Sequence, residues 1–102
     1  MRFTLNKNNI RLNTPTLLKK CGYHYTGMFR GEPGFARRAG RSRYPQFHIY
    51  VNEESQDKLV LNLHLDAKKA SYAGSKMHAG EYDTEVVKQE IQRIDDIINN
   101  LS

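Results

Sequence analysis

Cysteine is nearly absent from this chain: Cys21 stands alone among 102 residues. One thiol cannot close an internal disulfide, so nothing marks the chain as a disulfide-built secreted domain. Cys21 reads as a small buried residue rather than as a nucleophile. Long hydrophobic runs are missing too. No segment approaches the roughly 20 apolar residues of a membrane span, and the opening MRFTLNKNNIRLN lacks an apolar stretch of signal-peptide length. The expectation is a cytoplasmic protein that does not enter a membrane. The third scarcity is local. Residues 1–50 hold ten Lys/Arg and one acid, Glu32, whereas residues 51–102 hold six Lys/Arg and ten acids. The halves therefore carry +9 and −4, which together make the net +5. A basic half of this kind points to an anionic partner, either nucleic acid or a phosphorylated metabolite.

What is present suffices for one compact domain over residues 1–102. Hydrophobic residues make up 38%, enough for a single core at this length. NTPTLLKKCG predicts a short helix, capped by Asn13 or Thr14, with Pro15 in its first turn and Gly22 at its end. YHYTGMF alternates aromatic and polar residues and predicts a strand. RGEPGF reads as a turn, and ARRAGRSR as a second short strand or a loop. FHIYV and KLVLNLHLD predict two strands joined through NEESQ. AKKASYAGSKMHAGEYD is broken by small residues and predicts a long loop. From about Thr84 the chain is expected to be helical, with Asp83 or Thr84 as cap. Val87, Ile91, Ile94, Ile98 and Leu101 form one apolar stripe at 4-3-4-3 spacing. That stripe suits a helix packed on a sheet, or a homodimer built through it; monomer and dimer both stay open.

Parity sorts the two central strands. Phe47, Ile49 and Val51 share one face with Leu59, Leu61, Leu63 and Leu65. His48 and Tyr50 share the other with Val60, Asn62, His64 and Asp66. A one-residue slip would turn every leucine outward, so only registers that keep like parity together are acceptable. One such register pairs Val51 with Leu59 and sets His64 diagonally from His48.

The opposite face and its flanks hold the candidate chemistry. His64 and Asp66 form an H-x-D pair, and His78 follows. With His48 and Glu81 these could ligate a divalent metal such as zinc, iron or manganese. The same His48, His64, Asp66 and His78 could instead work as metal-free acid and base on a phosphate ester, with arginines stabilising the charged transition state. RGEPGFARRAGRSRYPQF offers Arg30, Arg37, Arg38, Arg41 and Arg43 between aromatic residues. Guanidinium groups grip phosphate, and aromatic rings stack on unpaired bases. Lys68, Lys69, Tyr72 and Lys76 in KKASYAGSK extend this anion-binding set. No G-x-x-x-x-G-K-[ST] pattern is present, which excludes a Walker-type site.

YPQFHIYV, LNLHLD and KASYAGSKMHAGEYDTEVV together resemble a family of small bacterial proteins of uncharacterised activity. These pair a tyrosine-proline-x-phenylalanine-histidine strand with a strand ending in His-Leu-Asp and a Ser-Tyr-x-Gly-Ser loop followed by His and Gly-Glu-Tyr. The resemblance spans about residues 44–87 and implies no mechanism. The fold expected is α+β: three or four antiparallel strands, a short N-terminal helix, and a long C-terminal helix packed on one sheet face. A helix-strand-strand-strand-helix order also resembles double-stranded RNA-binding domains, without the lysine-rich start of their last helix. The leading functional expectation is binding of nucleic acid, RNA favoured, or of another phosphate-bearing ligand. The alternative is a small phosphoesterase or metal-dependent hydrolase using the same histidines.

Overall fold

A computed structural model describes residues 1–7, 10–66 and 79–101, with residues 79–83 described as backbone. Seven elements follow one another: β1 (Arg2–Asn6), α1 (Thr14–Lys20), β2 (His24–Phe29), β3 (Glu32–Arg38), β4 (Gln46–Glu54), β5 (Lys58–Asp66) and α2 (Ala79–Asn99). The strands form one sheet in the order β1-β5-β4-β3-β2, with every neighbouring pair antiparallel. The α+β expectation holds, but the sheet has five strands rather than three or four. The extra strand is β1. Its alternation is faint, with Phe3 and Leu5 the apolar positions in RFTLN, and pairing with β5 is what fixes it. Leu5 lies opposite Leu59 and Phe3 opposite Leu61. Four strands now stand between the helices, so the order departs from that of double-stranded RNA-binding domains.

Local chemistry sets the element ends. Asn13 caps α1: its side-chain oxygen accepts a hydrogen bond from the Thr16 N–H at 2.9 Å. Lys19 and Lys20 occupy the last turn, where they suit the negative end of the helix dipole. Gly22 then takes φ +96°, and a Cβ there would meet Arg37 Cδ at 2.9 Å. Conformation and contact both require glycine at this position. The β2–β3 turn is tighter than RGEPGF suggested. Arg30 and Gly31 alone turn the chain, with φ of 52° and 83°, as a two-residue hairpin with positive φ at both centres demands. Glu32 and Pro33 already belong to β3.

One face of the sheet holds the core. Phe35, Phe47, Ile49, Val51, Leu59, Leu61 and Leu63 are buried there with Leu17 and Leu18 of α1 and Val87, Ile94 and Ile98 of α2. Both helices therefore lie on this face. Each Leu or Ile fully buried here contributes about 1.5–3 kcal/mol relative to exposure. Cys21 is buried with them, as the sequence suggested. Two details of α2 correct the expectation. The helix starts at Ala79 rather than at Thr84, so neither Asp83 nor Thr84 is its cap. Leu101 is 38% exposed, while Glu90 is 4% exposed and takes a place on the buried stripe. Val87, Ile94 and Ile98 are already packed against the protein's own sheet, so a homodimer through α2 would need other residues. No described helix is long and apolar enough to cross a membrane.

Candidate nucleic-acid interface

The other face of the sheet gathers His48, His64 and Asp66, with Arg30, Arg38 and Arg43 on or beside it. The hairpin register differs by two residues from the one inferred from parity, and a bulge between Val51 and Glu53 shifts it by one residue more towards the turn. Val51 pairs with Leu61, not Leu59, and His48 stands directly opposite His64 rather than diagonal to it. The parity argument survives; the spacing did not, because alternation fixes which residues share a face but not where the turn falls.

The register builds this face row by row. In one row His24 lies beside Ala36, Ala36 beside His48, and His48 beside His64. The next row runs Gly27, Gly34, Tyr50, Asn62 and Arg2. On the other side of the histidine row lie Arg38, Gln46 and Asp66. Tyr50 is the hub of the ring contacts. Its centroid lies 5.4 Å from Phe29, 5.8 Å from His48 in a stacked arrangement, and 5.5 Å from His64 edge-on. Gly34 makes this possible: a Cβ there would stand 3.1 Å from Tyr50 Cε1 and 3.1 Å from Thr26 Oγ1. Phe29 is 51% exposed, and the Arg30 guanidinium rests 5.2 Å from its ring centre.

Beside these rings the face dips into a polar basin of about 410 Å³, lined by His24, Thr26, Arg38, Arg43, Tyr44, Gln46 and His48. Ala36 separates His24 from His48, and strands lie 4.7–4.9 Å apart, so the two histidine backbones stand about 10 Å from one another. Arg43 sits over the Tyr44 ring at 5.9 Å, in the loop that leads into β4.

The imidazoles differ in their surroundings. His48 Nδ1 is 3.4 Å from Asp66 Oδ2, a contact that becomes an ion pair when the ring is protonated. Burial holds the pKa of His64 below the ordinary imidazole value, assisted by the N-terminal ammonium and by His48; Asp66 pulls weakly the other way. The ammonium lies close by, donating to Asn62 Oδ1 at 3.1 Å and to the Leu63 carbonyl at 2.6 Å. Since the folded pKa of His64 is below the unfolded one, the folded state resists this proton. The stability cost is absent above about pH 6.5 and grows as pH falls towards the folded value. A proton NMR titration is expected to place the His64 midpoint below about 6.5, and lower still in Asp66→Asn. A midpoint at or above 6.5 would contradict this environment.

Not every arginine joins the face. Arg38 and Arg43 line the basin, Arg30 caps Phe29, and Arg41 is exposed in the loop between β3 and β4. Arg37 does not join them. It follows Phe35 in alternation, so it turns to the helix side, where its Nη2 and Nε donate to Glu90 at 3.0 and 3.1 Å. Arg93 and the Tyr23 hydroxyl donate to the same carboxylate at 2.6–2.9 Å, and Arg93 also reaches the Cys21 carbonyl. Burial would raise the Glu90 pKa, but hydrogen bonds from Arg93, Arg37 and Tyr23 outweigh it and hold the carboxyl below its usual range. Burial and the bond to Glu90 push the Tyr23 hydroxyl far up, and burial likewise raises the Cys21 thiol. Arg37 is thus held on the helix side by Glu90, away from the arginines of the opposite face.

His78, Lys68, Lys69, Tyr72 and Lys76 lie outside the described residues, and with them the His64/Asp66/His78 metal set and the loop they belong to. Among the described residues no three His, Cys, Asp or Glu side chains group so as to hold a metal ion. His24 and Gln46 join the site unannounced. YHYTGMF does put His24 and Thr26 on one face by alternation, but their place beside Ala36 depends on a turn and a bulge that alternation does not register. Compared with known proteins, the chain matches no family model, no curated protein and no solved structure, so the reading of this site rests on its own geometry.

Proposed function

We propose that this protein binds single-stranded nucleic acid, RNA in the first place, across the face of the sheet opposite its helices. The observation that carries the reading is the ring cluster Phe29, Tyr50, His48 and His64 on that face, framed by Arg2, Arg30, Arg38 and Arg43. Unpaired bases offer a π-face to such rings whatever their identity, and arginines track the phosphates beside them. A duplex would present neither free base faces nor a shape that a flat sheet follows. A cytoplasmic setting, expected from the sequence, fits an RNA ligand.

Titration of oligouridylate followed by NMR or anisotropy tests this. Affinity is expected to fall with salt, at about 0.7 logarithmic units per phosphate contact and decade of salt. Four arginines in contact would give a slope of roughly −2 to −3. No binding at low ionic strength would remove the proposal.

A second reading draws on one arrangement, His48 opposite His64 with Asp66 beside His48. One imidazole could accept a proton while the other donates one, which is what metal-free cleavage of a phosphate ester needs. Turnover of RNA that disappears in His48→Ala while binding persists would favour it; intact RNA after long incubation with the native protein would dismiss it.

A further inference from the structure

We propose that the basin between His24 and His48 is a subsite for a terminal phosphate monoester, so that the protein recognises a phosphorylated end of the strand it binds. This rests on the reading above and goes beyond it, because stacking rings and scattered arginines alone do not distinguish an end from an interior.

Three features of the basin argue for an end. The first is charge. Arg38 and Arg43 are joined by two imidazoles, His24 and His48, and no lining residue is a carboxylate. Asp66 stands behind His48, at 3.4 Å from its Nδ1. A phosphodiester brings a single negative charge, whereas a monoester brings about −1.5 to −2 near neutral pH and three terminal oxygens. The second is donor count. Thr26, Tyr44 and Gln46 add side-chain donors to the two guanidinium groups.

The third is shape. The space is about 410 Å³, within the range of small-molecule sites and ample for a phosphate with its sugar. Arg43 and Tyr44, from the loop entering β4, line one end of it. In register, the Arg38–Gln46 row is followed by His48 and then by Gly34 and Tyr50, where the Tyr50 and Phe29 rings begin. A strand whose end phosphate sits among Arg38, Arg43 and the two imidazoles would lay its next bases on those rings. Ala36 lies between the two histidines in register and is itself buried, at 1% exposure.

The experiment compares three uridine hexamers that carry a 5′-phosphate, a 3′-phosphate or no terminal phosphate. Each is titrated into the whole labelled protein, with the Gly34, Ala36 and Gln46 amide signals reporting the site. One phosphorylated end is expected to bind about tenfold tighter or more than the bare strand, the scale of charge-assisted hydrogen bonds to a dianion. Which end gains identifies the source of the phosphate. Ala36→Leu puts bulk between His24 and His48 without removing a charge, and should return that ratio to about one while the bare strand still binds. The double variant R38Q/R43Q, at exposed positions, gives the same ratio test if Ala36→Leu does not fold. Equal binding of all three hexamers, or a preference that survives in the variants, overturns the end subsite and leaves nucleic-acid binding standing. Failure of all three to bind would overturn both.

Discussion

Glu90→Ala is expected to lower the stability of the fold by about 3 kcal/mol, the low end of what breaking a buried ion pair costs. The reason lies in what stays behind. Arg37, Arg93 and Tyr23 all donate to this one carboxylate, which is 4% exposed. Without it two guanidinium groups face each other, and a buried hydroxyl loses its acceptor. Arg37 and Arg93 keep 26% and 36% of their side-chain surface in water, which moderates the penalty. For a domain of about 100 residues this corresponds to a melting temperature lower by roughly 12–24 °C. Urea and thermal unfolding give the measurement, and a loss under about 1 kcal/mol would mean that the network contributes little.

The same group supplies an acid limb to the stability curve. The folded pKa of Glu90 is below the unfolded one, so between the two values the unfolded chain binds more protons. Its contribution is complete above the ordinary glutamate pKa of about 4.3 and is lost as pH falls through the folded value. Glu90→Gln should lack that part of the pH dependence. The cluster also joins three elements: Tyr23 precedes β2, Arg37 lies in β3, and Glu90 and Arg93 lie in α2. It anchors the C-terminal helix across the sheet by direction as well as by hydrophobic contact.

Tyr50→Ala is expected to weaken oligouridylate binding roughly tenfold or more, since one base–ring stack is worth about 1–3 kcal/mol. Tyr50 touches Phe29, His48 and His64, and all three ring contacts end with its removal. The variant is expected to remain folded while its affinity falls. Tyr50 lies on the face away from the core, and its ring contacts are worth about 0.5–1.5 kcal/mol each. Circular dichroism checks the fold, and the titration checks the affinity. Because Phe29 and Tyr50 touch, their alanine variants should not be additive. Unchanged affinity in Tyr50→Ala would move the binding surface elsewhere.

Much of this molecule was legible in its residues. Alternation in FHIYV and LVLNLHLD separated the leucine row from the face carrying His48, Tyr50, Asn62 and His64, and the structure keeps that separation. Asn13, Pro15 and Gly22 marked α1, because caps and breakers act on their own neighbours. Other features were not legible. The pairing of Phe3 and Leu5 with β5 joins residues nearly sixty positions apart. Arg37 reads in sequence as one more arginine of a basic loop, and only β3 alternation, completed by α2, turns it to Glu90.

The sequence by itself determined the α+β class, the two faces of the central hairpin and the polarised charge, because each follows from side-chain period or composition. Tertiary structure alone decided which titratable groups meet. His24 joins His48 across Ala36, His48 faces His64, and Glu90 gathers two arginines and a tyrosine. Bulges, turns and strand order set those meetings, and they are fixed by packing between residues distant in the chain rather than by any local pattern.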